Sequence, residues 1–484
     1  MKGARALAID VGSSSIRTAL VDTTGVVTHV HQRKLTVSTP SPGYVELDPA
    51  EIANFALELA AATVHDGGAA ACVGVTNQRA TTIVFDPQTG VAVGPALSWQ
   101  DLRTVIDCLV LQGEGLRRAP NQSATKVRWL VEHAARPARE LRFATIDTWL
   151  VWHLSEGGAF VSDRSNAAVN GLINPTLDGW DPRTLELLSL DEVMLPSLVD
   201  TLCDDGPARV LPGAPPITAV VGDQPASLFG QSCVTSGAKI TFGTGAMLDV
   251  VHRESAPTNL ARYASGCYPT VLRSRSGVVT WGVEGIVFSA GSCVEWLVDL
   301  GLIADVTECE ALATSVEDSA GVTFVPAFSG LGTPQWDFGA RGGFFGLTRG
   351  STRAHLVRAV LEGVAQRGAD LLDAAESEVT STLRELRVDG GMSVNRFFVQ
   401  RLADFSGHVV SVSSEREATT RGAGLMALVS AGHLTLEGVE ALWSPAFVAT
   451  PTLSDDERES ARTNWATTLA RAQRTIPELS DVSF

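Results

Sequence analysis

The sequence predicts an α/β protein of two lobes, because strands and helices alternate along the chain and one strand–turn–strand pattern occurs twice. Residues 6–22 form this pattern around a small-residue turn at 12–15, and residues 239–251 repeat it around a glycine turn. At 484 residues the chain is also too long for one compact core, since domains run to about 150 residues. We place the boundary after the strand 217–221, which gives an N-terminal lobe, 1–232, and a C-terminal lobe, 233–484.

Helix signals support this division into alternating elements. Asp48 and Pro49 occupy the cap and first positions of a helix whose apolar residues recur at helical spacing. In the second lobe Thr352 caps a long helix, and Asp389-Gly390-Gly391 separates a strand from another helix. Each lobe is therefore expected to combine a sheet with covering helices.

Composition excludes several classes of function. There is no run of about eighteen apolar residues that could span a membrane, and the N-terminus passes directly into a strand without a signal peptide. The net charge of −17 disfavours binding to nucleic acid or to an anionic membrane. We therefore expect a cytoplasmic protein that acts on a small molecule.

Cysteine and histidine spacing argues against a structural metal. The seven cysteines form no C-x-x-C pair, and the nine histidines show no H-E-x-x-H spacing. We expect reduced, mostly buried thiols and no transition metal held by the protein.

The two glycine turns are candidate phosphate cradles. In the first, Asp10 is followed by Gly12 and three serines, Ser13, Ser14 and Ser15, with Arg17 close by as a positive charge. The second contains Thr244 between two glycines. Taken alone, the first turn is equally typical of an ordinary hairpin, and the second is more often only a glycine turn. Their equivalent places in the two lobes favour phosphates held between them. Asp10 is the candidate ligand of Mg²⁺, through water.

Asp223 is the candidate general base. It follows Gly222 and an apolar strand, where a carboxylate can accept the proton of an attacking hydroxyl. An aspartate there is also a common cap, so the assignment depends on the neighbouring motifs.

Asp337-Phe338-Gly339 matches a protein-kinase metal motif, but the other protein-kinase motifs and the P-loop are absent, and we interpret it as coincidence.

Together these motifs resemble the FGGY family of carbohydrate kinases, and within it most closely the glycerol kinases. Matching segments occur in order along nearly the whole chain: 8–17, 74–86, 97–103, 123–133, 222–231, 242–245, 324–352 and 388–395. The segment 324–349, which begins Phe-Val-Pro-Ala-Phe-Ser-Gly, is long and specific.

The resemblance implies two actin-like (ribonuclease H-like) ATPase lobes with a central nucleotide and substrate cleft, and ATP with Mg²⁺ as cofactors. It implies ATP contacts from Ser13, Ser14, Ser15, Arg17, Thr244, Gly291, Glu295, Gly391 and Asn395. It implies that Asp223 is the base and, with Asp10, lies at the metal. Substrate contacts are implied for Arg79, Trp99, Asp223 and Gln224, and for the positions held here by Asn121 and Met247.

Three substrate positions depart from the glycerol kinase pattern. Those enzymes carry a glutamate where this chain has Ala80, a tyrosine at the position of Asn121 and a phenylalanine at that of Met247. Loss of the carboxylate removes an acceptor for a substrate hydroxyl, and such contacts discriminate strongly. We therefore expect a polyol or ketose longer than glycerol, of four or five carbons.

Other assignments remain open at the level of sequence. Glycerol kinase proper and a xylulokinase-like ketopentose kinase are the enzyme alternatives, although Gln78-Arg79 argues against the second. A catalytically silent actin-like nucleotide-binding regulator is the non-enzymatic one. The resemblance also implies a homodimer or a homotetramer.

Overall fold

The computed structural model describes residues 3–134, 136–252, 256–379 and 383–482. The strands are β1 (Arg5–Val11), β2 (Ser15–Asp22), β3 (Val27–Lys34), β4 (Glu46–Leu47), β5 (Cys72–Asn77), β6 (Ile83–Asp86), β7 (Val91–Ala92), β8 (Ala96–Leu97), β9 (Arg142–Ala144), β10 (Val161–Asp163), β11 (Ser197–Val199), β12 (Ile217–Gly222), β13 (Ala238–Phe242), β14 (Ala246–His252), β15 (Tyr268–Arg275), β16 (Val278–Val287), β17 (Thr323–Val325), β18 (Gly343–Phe345), β19 (Glu385–Asp389), β20 (Val409–Ser413) and β21 (Pro445–Ala449).

The helices are α1 (Pro49–Gly67), α2 (Val105–Gly113), α3 (Ala124–Ala134), α4 (Ile146–Leu154), α5 (Arg164–Ala167), α6 (Pro182–Leu188), α7 (Asp223–Gly230), α8 (Gly291–Asp299), α9 (Glu308–Thr314), α10 (Arg353–Glu376), α11 (Arg396–Ser406), α12 (Ala418–Ser430), α13 (Leu436–Glu440), α14 (Asp455–Ala472) and α15 (Pro477–Ser480), with 3₁₀ helices at Ala138–Glu140, Glu192–Met194 and Gly391–Val394. Asp48 and Thr352 cap α1 and α10 as predicted.

The N-terminal lobe is built on a five-stranded sheet in the order β12-β5-β1-β2-β3. β1 pairs antiparallel with β2 across the 12–15 turn and parallel with β5, which pairs parallel with β12. Every residue of β1 from Ala6 to Val11 is buried, because helices cover both faces of the sheet. This confirms the predicted hairpin at 6–22.

The C-terminal lobe repeats this topology within a seven-stranded sheet, in the order β15-β16-β14-β13-β19-β20-β21. β13 pairs antiparallel with β14 and parallel with β19, as β1 does with β2 and β5. β16 then corresponds to β3, and β20 to β12. The repeat seen in the sequence is therefore a repeat of a whole five-stranded core, and the two-lobed α/β prediction is confirmed.

Alternating side chains direct each sheet into two cores. In the N-terminal sheet Leu7 and Ile9 pack with α1 and α4, whereas Ala6 and Ala8 pack with α7 and α12. In the C-terminal sheet Ile240 and other strand residues pack with α8, α10 and α11. Small residues on the face of the N-terminal sheet that meets α7 and α12 let these helices lie close to the strands.

Helices α7 and α12 join the lobes by crossing at two glycines. A Cβ on Gly230 would collide with the carbonyl oxygen of Ala418, and a Cβ on Gly422 with that of Ala226. A Cβ on Gly74 of β5 would likewise meet the carbonyl oxygen of Ala423. Thus α12 lies between β20 and β21 of the C-terminal sheet in sequence but packs against the N-terminal sheet.

All seven cysteines are free thiols, and only Cys203 is not buried. Within the described residues, no helix combines the length and the apolar character needed to cross a membrane.

Candidate active site

Three parallel strands bring the predicted catalytic side chains to one edge of the N-terminal sheet. β12, β5 and β1 are neighbours, and Asp223 follows the first, Arg79 the second, while Asp10 is close to the end of the third. Carboxyl ends of parallel strands meet at the same edge, where α/β proteins commonly bind ligands. The fold thus brings together residues that lie up to 213 positions apart in the sequence.

Arg79 lies over Gly222 and between two carboxylates. A Cβ on Gly222 would come within 2.5 Å of Arg79 Cδ, so the glycine leaves the space that the arginine fills. Arg79 Nε is 3.6 Å from Asp223 Oδ1, and its NH2 group donates to Glu284 Oε2 at 2.5 Å. Since Glu284 belongs to β16, Arg79 also bridges the two lobes.

Burial controls the ionisation of these groups. It raises the pKa of Asp10 to about 6, although a hydrogen bond from Thr420 Oγ1 at 2.9 Å and the charge of Arg17 oppose the shift. Burial also raises the pKa of Asp223, against the attraction of Arg79. For Arg79 burial lowers the pKa, but Glu284 and Asp223 outweigh it, and the net pKa lies above its usual value. Asp223 is thus a carboxylate with above-average affinity for a proton.

The 12–15 turn connects the predicted phosphate and substrate residues. Gly12 N donates to Ser15 O at 2.9 Å and closes the turn. Trp99 Nε1 donates to Ser13 Oγ at 3.2 Å, so the indole predicted to cover substrate touches the turn predicted to bind phosphate. Ser14 is exposed in the turn.

Arg17, predicted to contact phosphate, forms an ion pair with Glu417 at 2.7 Å. Glu417 is the N-cap of α12, so this contact joins β2 to the crossing helix. Arg17 Nε is buried and has no hydrogen-bond partner among the described residues. One N–H group of the guanidinium is therefore unpaired.

The C-terminal lobe gathers three glycine-containing segments around its own turn. Gly291 N donates to Gly243 O at 2.9 Å, and a Cβ on Gly291 would lie 2.6 Å from that oxygen. Thr244 accepts from Ala290 N at 2.8 Å through its carbonyl oxygen, and its side chain is exposed. A Cβ on Gly390, next to Gly391, would collide with the carbonyl oxygen of Phe242. Thr244, Gly291 and Gly391 are thus grouped at one edge.

The remaining predicted nucleotide residues lie on helices that begin at this edge. Glu295 is exposed on α8, which starts at Gly291. Asn395 caps α11, and its Oδ1 accepts from Phe398 N at 3.0 Å. Because the side-chain oxygen of Asn395 caps the helix, the NH2 group of that side chain is the part that can donate to a ligand.

The predicted substrate residues differ in their burial and in their contact with Arg79 and Asp223. Gln224 is half-buried beside Asp223, and Met247 is half-buried on β14 opposite Thr241. Asn121 lies on an exposed turn before α3, and no contact joins it to Arg79 or Asp223 within the described residues. Ala80 is buried at φ +60° next to Arg79.

Sequence reasoning missed Glu284, Lys239, Asp249 and Thr420. The first three sit in otherwise apolar strands, and a charge in the middle of a buried strand is a signal that could have singled them out. Thr420 carries no such signal, because its contact with Asp10 spans 410 positions.

The residues at this edge fit Mg²⁺ carried with a nucleotide. No cluster of three or more His, Cys, Asp or Glu side chains that could hold a metal occurs in the described part of the chain. Mg²⁺ typically uses one or two carboxylates and completes its shell with phosphate and water. The carboxylates of Asp10 and Asp223 supply that number, and the charge of Asp223 contributes to the raised pKa of Asp10.

Comparison with known proteins identifies the family of the chain. Residues 5–230 match the N-terminal domain of the FGGY family of carbohydrate kinases, and residues 238–431 match its C-terminal domain. The chain is 39% identical to a glycerol kinase of Aromatoleum aromaticum over 96% of its own length and 98% of that protein. It is 37% identical to a glycerol kinase of Shewanella oneidensis over 96% of its length and 99% of that protein.

Solved structures of such kinases share the fold. Plasmodium falciparum glycerol kinase with ADP superposes with a TM-score of 0.90 at 27% identity, over 97% of this chain and 98% of that one. A ligand-bound xylulose kinase of Lactobacillus acidophilus gives 0.84 at 18% identity, over 96% and 97%, which is a likeness of fold. The chain therefore belongs to the FGGY family of carbohydrate kinases, two-lobed actin-like phosphotransferases whose acceptor is an alcohol group.

Proposed function

We propose that the protein transfers the γ-phosphoryl group of ATP to a hydroxyl of a small polyol or sugar, with Asp223 as the general base. The observation that carries this proposal is the placement of Asp223 at the first position of α7, beside Arg79 and on the same sheet edge as Asp10. Phosphoryl transfer needs positioning and charge compensation more than covalent chemistry. This edge offers a carboxylate, a fixed cation and a turn of hydroxyls.

ATP is expected between the two glycine turns. Ser13, Ser14, Ser15 and Arg17 would hold phosphates from one lobe and Thr244 from the other, while Gly291, Glu295, Gly391 and Asn395 would surround the nucleoside. Backbone N–H groups at a glycine turn are suited to phosphate oxygens because no side chain blocks their approach. Mg²⁺, held through Asp10 and Asp223, neutralises phosphate charge when bound.

Asp223 would take the proton that the acceptor hydroxyl loses as its oxygen bonds to phosphorus and the bond from phosphorus to the ADP oxygen breaks. Its raised pKa favours proton uptake, while Arg79 keeps the carboxylate ionised beforehand. Closure of the lobes would exclude water, the competing acceptor.

We propose further that the acceptor is longer than glycerol. Ala80 places a buried methyl group next to Arg79, so its side chain supplies no carboxylate to a substrate hydroxyl. Its backbone oxygen already accepts from Ser123 Oγ at 3.1 Å. Met247 is flexible where relatives are expected to have an aromatic ring, and Asn121 is short and exposed. A less filled pocket with one acceptor fewer suits four or five carbons.

Glycerol is the second candidate acceptor, favoured by the names of the relatives at 37–39% identity. An ADP-release assay with magnesium-ATP distinguishes the two across glycerol, erythritol, threitol, ribitol, xylitol, arabitol, xylulose, ribulose and gluconate. We expect the highest kcat/KM for a four- or five-carbon compound. A higher kcat/KM for glycerol than for all of these would refute the longer substrate.

The variant Ala80→Glu sharpens this test. Restoring a carboxylate beside Arg79 is expected to raise kcat/KM for glycerol relative to the preferred substrate by about tenfold or more, because a buried hydroxyl would regain its acceptor. Ala80→Gln, of similar size but without the charge, is the matched control. An unchanged ratio in both variants would remove position 80 from specificity.

A further inference from the structure

The strand that leads to Asp223 is held along its outer edge by a loop and a side chain. β12 is an edge strand of the five-stranded sheet, so the N–H groups on its outer side need partners from elsewhere in the chain. Val220 N donates to the carbonyl oxygen of Thr201 at 3.1 Å, and Gly222 N donates to Ser165 Oγ at 2.8 Å. The second bond holds the residue directly before Asp223.

Both of these contacts lead back to Asp163, a carboxylate with no exposed surface. Asp163 Oδ1 accepts from Ser165 Oγ at 3.0 Å, and its Oδ2 accepts from Thr201 Oγ1 at 2.8 Å. Ser165 N, Asn166 N and Asn166 Nδ2 donate to it as well, at 2.9, 3.0 and 2.8 Å. Burial raises the pKa of Asp163, and the hydrogen bonds of Ser165 and Asn166 oppose that shift. The carboxylate thus holds several donors in one arrangement.

Ser165 links this carboxylate to the backbone before Asp223. Its hydroxyl has one proton, which goes to Asp163 because an ionised carboxylate only accepts, and the oxygen is then free to accept from Gly222 N. We call Asp163, Ser165 and Gly222 the serine relay. Arg79 Cδ lies where a Cβ on Gly222 would be, so a shift of Gly222 would also change the distance between Arg79 and Asp223.

Asn166 links the same carboxylate to the strand that leads to Arg79. Since Asn166 Nδ2 donates to Asp163, its Oδ1 faces away and accepts from Asn77 Nδ2 at 2.9 Å. Asn77 is the last residue of β5, and its Nδ2 also donates to the carbonyl oxygen of Gln78 at 2.9 Å, directly before Arg79. We call Asp163, Asn166 and Asn77 the asparagine relay. Both asparagines are fully buried.

The two relays therefore end on neighbouring positions of one sheet. Gly222 and Asn77 are register partners on β12 and β5, and each lies within two residues of a member of the Arg79–Asp223 pair. Displacement of a reacting group by about 1 Å can cost about 100-fold in rate, so the alignment of these two strand ends matters for catalysis.

We propose that Asp163 is a positioning residue, which sets Asp223 through the serine relay and Arg79 through the asparagine relay. This proposal rests on the proposed function, in which Asp223 is the general base and Arg79 binds the acceptor. Asp163, Ser165 and Asn166 are fully buried behind the strand ends and act through these two side chains.

Ser165→Ala interrupts the serine relay. We expect kcat to fall about tenfold because Asp223 is displaced, whereas KM for ATP should stay within about twofold of the wild type, since the turns predicted to bind phosphate belong to other strands. Ser162→Ala is the matched control: Ser162 Oγ donates to Asp147 Oδ2 at 2.7 Å, a buried serine–aspartate bond that does not involve Gly222 or Asn77. An equal loss of kcat in the two variants would contradict the proposal.

Asn77→Ala interrupts the asparagine relay. Because Arg79 is the side chain that this relay positions, KM for the acceptor should rise about tenfold while KM for ATP stays within about twofold of the wild type. An unchanged KM for the acceptor would remove Arg79 from the proposal.

Asp163→Asn tests the buried acid itself. It keeps the shape but turns an NH2 group towards donors, so both relays should weaken, with kcat lowered and KM for the acceptor raised by about tenfold each. Wild-type kinetics in a folded Asp163→Asn would overturn the proposal. Should this variant fail to fold, as thermal unfolding would show, Ser165→Ala and Asn77→Ala decide the question.

The most specific test combines Ser165→Ala with Asp223→Asn. If Ser165 acts through Asp223, its effect on kcat should shrink from about tenfold to less than about twofold once the base is gone, because residues that act as a unit have non-additive effects. The same loss in both backgrounds would overturn the positioning role. A wild-type enzyme that phosphorylates no compound of the panel, or an Asp223→Asn variant with wild-type kcat, would instead refute the proposed function.

Discussion

The two lobes share one strand topology but place different chemistry at the same point. In the N-terminal lobe the hairpin turn follows Asp10 and carries three serines, and the neighbouring strand ends lead to Arg79 and Asp223. In the C-terminal lobe the corresponding turn follows Phe242, and glycines of three segments surround it. We therefore propose that the first lobe supplies charge and proton transfer, and that the second supplies exposed backbone to a nucleotide.

Each lobe also holds a helix of the other through a buried acid. Asp10 accepts a hydrogen bond from Thr420 of α12 at 2.9 Å, and Asp389 at the end of β19 accepts one from Gln231, which follows α7, at 2.6 Å. The repeat thus extends from strand order to the contacts that cross between lobes. Burial raises the pKa of Asp10, and the nearby carboxylates of Asp223 and Glu417 add to this shift.

The largest expected effect comes from removing the proposed general base of the N-terminal lobe. Asp223→Asn keeps the size of the side chain but cannot take a proton, so kcat should fall by about 10²- to 10⁴-fold. ATP binding, measured by calorimetry or by a fluorescent analogue, should stay close to the wild-type value because the predicted phosphate contacts are untouched. Loss of ATP binding instead would mean that Asp223 is chiefly a nucleotide ligand.

An intermediate effect is expected from adding a side chain to the glycine turn of the C-terminal lobe. A Cβ at Gly245 would come within 2.5 Å of the Val287 carbonyl oxygen, so Gly245→Ala must displace β16 or the turn, at a cost of about 1–3 kcal/mol in unfolding free energy. KM for ATP should rise with it. Gly243→Ala is the matched control, since the atom nearest to a Cβ there is 4.0 Å away.

Equal effects of the two alanines on KM for ATP would contradict this account of the turn. The melting temperature distinguishes a displaced backbone from a blocked phosphate contact, because Gly243→Ala should leave stability unchanged even if it touches the nucleotide.

The smallest effect concerns pH. Thr420 donates to Asp10 and lowers its pKa, so Thr420→Val should raise that pKa further. A carboxylate that must be ionised loses function as the pH falls through its pKa, and the acid limb of kcat/KM should therefore move to higher pH, by about one unit for the loss of a hydrogen bond to a charged group. Thr420→Ser retains the hydroxyl and should leave the limb in place.

A profile that does not move in Thr420→Val would show that Asp10 does not control the acid limb. Asp223, whose pKa is also raised by burial, would then be the group that titrates.

The local features and the order of the motifs could be predicted from the sequence better than the geometry of the site. The hairpin at 6–22, the caps of α1 and α10 and the repeated turn follow from side-chain alternation and capping chemistry, which act over a few residues. The contact of Arg79 with Glu284 spans 205 positions, and that of Lys239 with Gln224 depends on the register of β13. Such contacts are set by strand order, which composition and periodicity do not encode.

The most direct test of the central claim follows the γ-phosphoryl group itself. ATP labelled with ³²P at the γ position is incubated with Mg²⁺, the enzyme and the preferred four- or five-carbon compound, and the label is separated by chromatography. We predict that it appears as a phosphate ester of that compound, in a one-to-one ratio with ADP, and that Asp223→Asn slows its formation by about 10²- to 10⁴-fold. Label found only as inorganic phosphate, or left in ATP with every compound tested, would contradict the assignment of this cleft as a polyol or sugar kinase site.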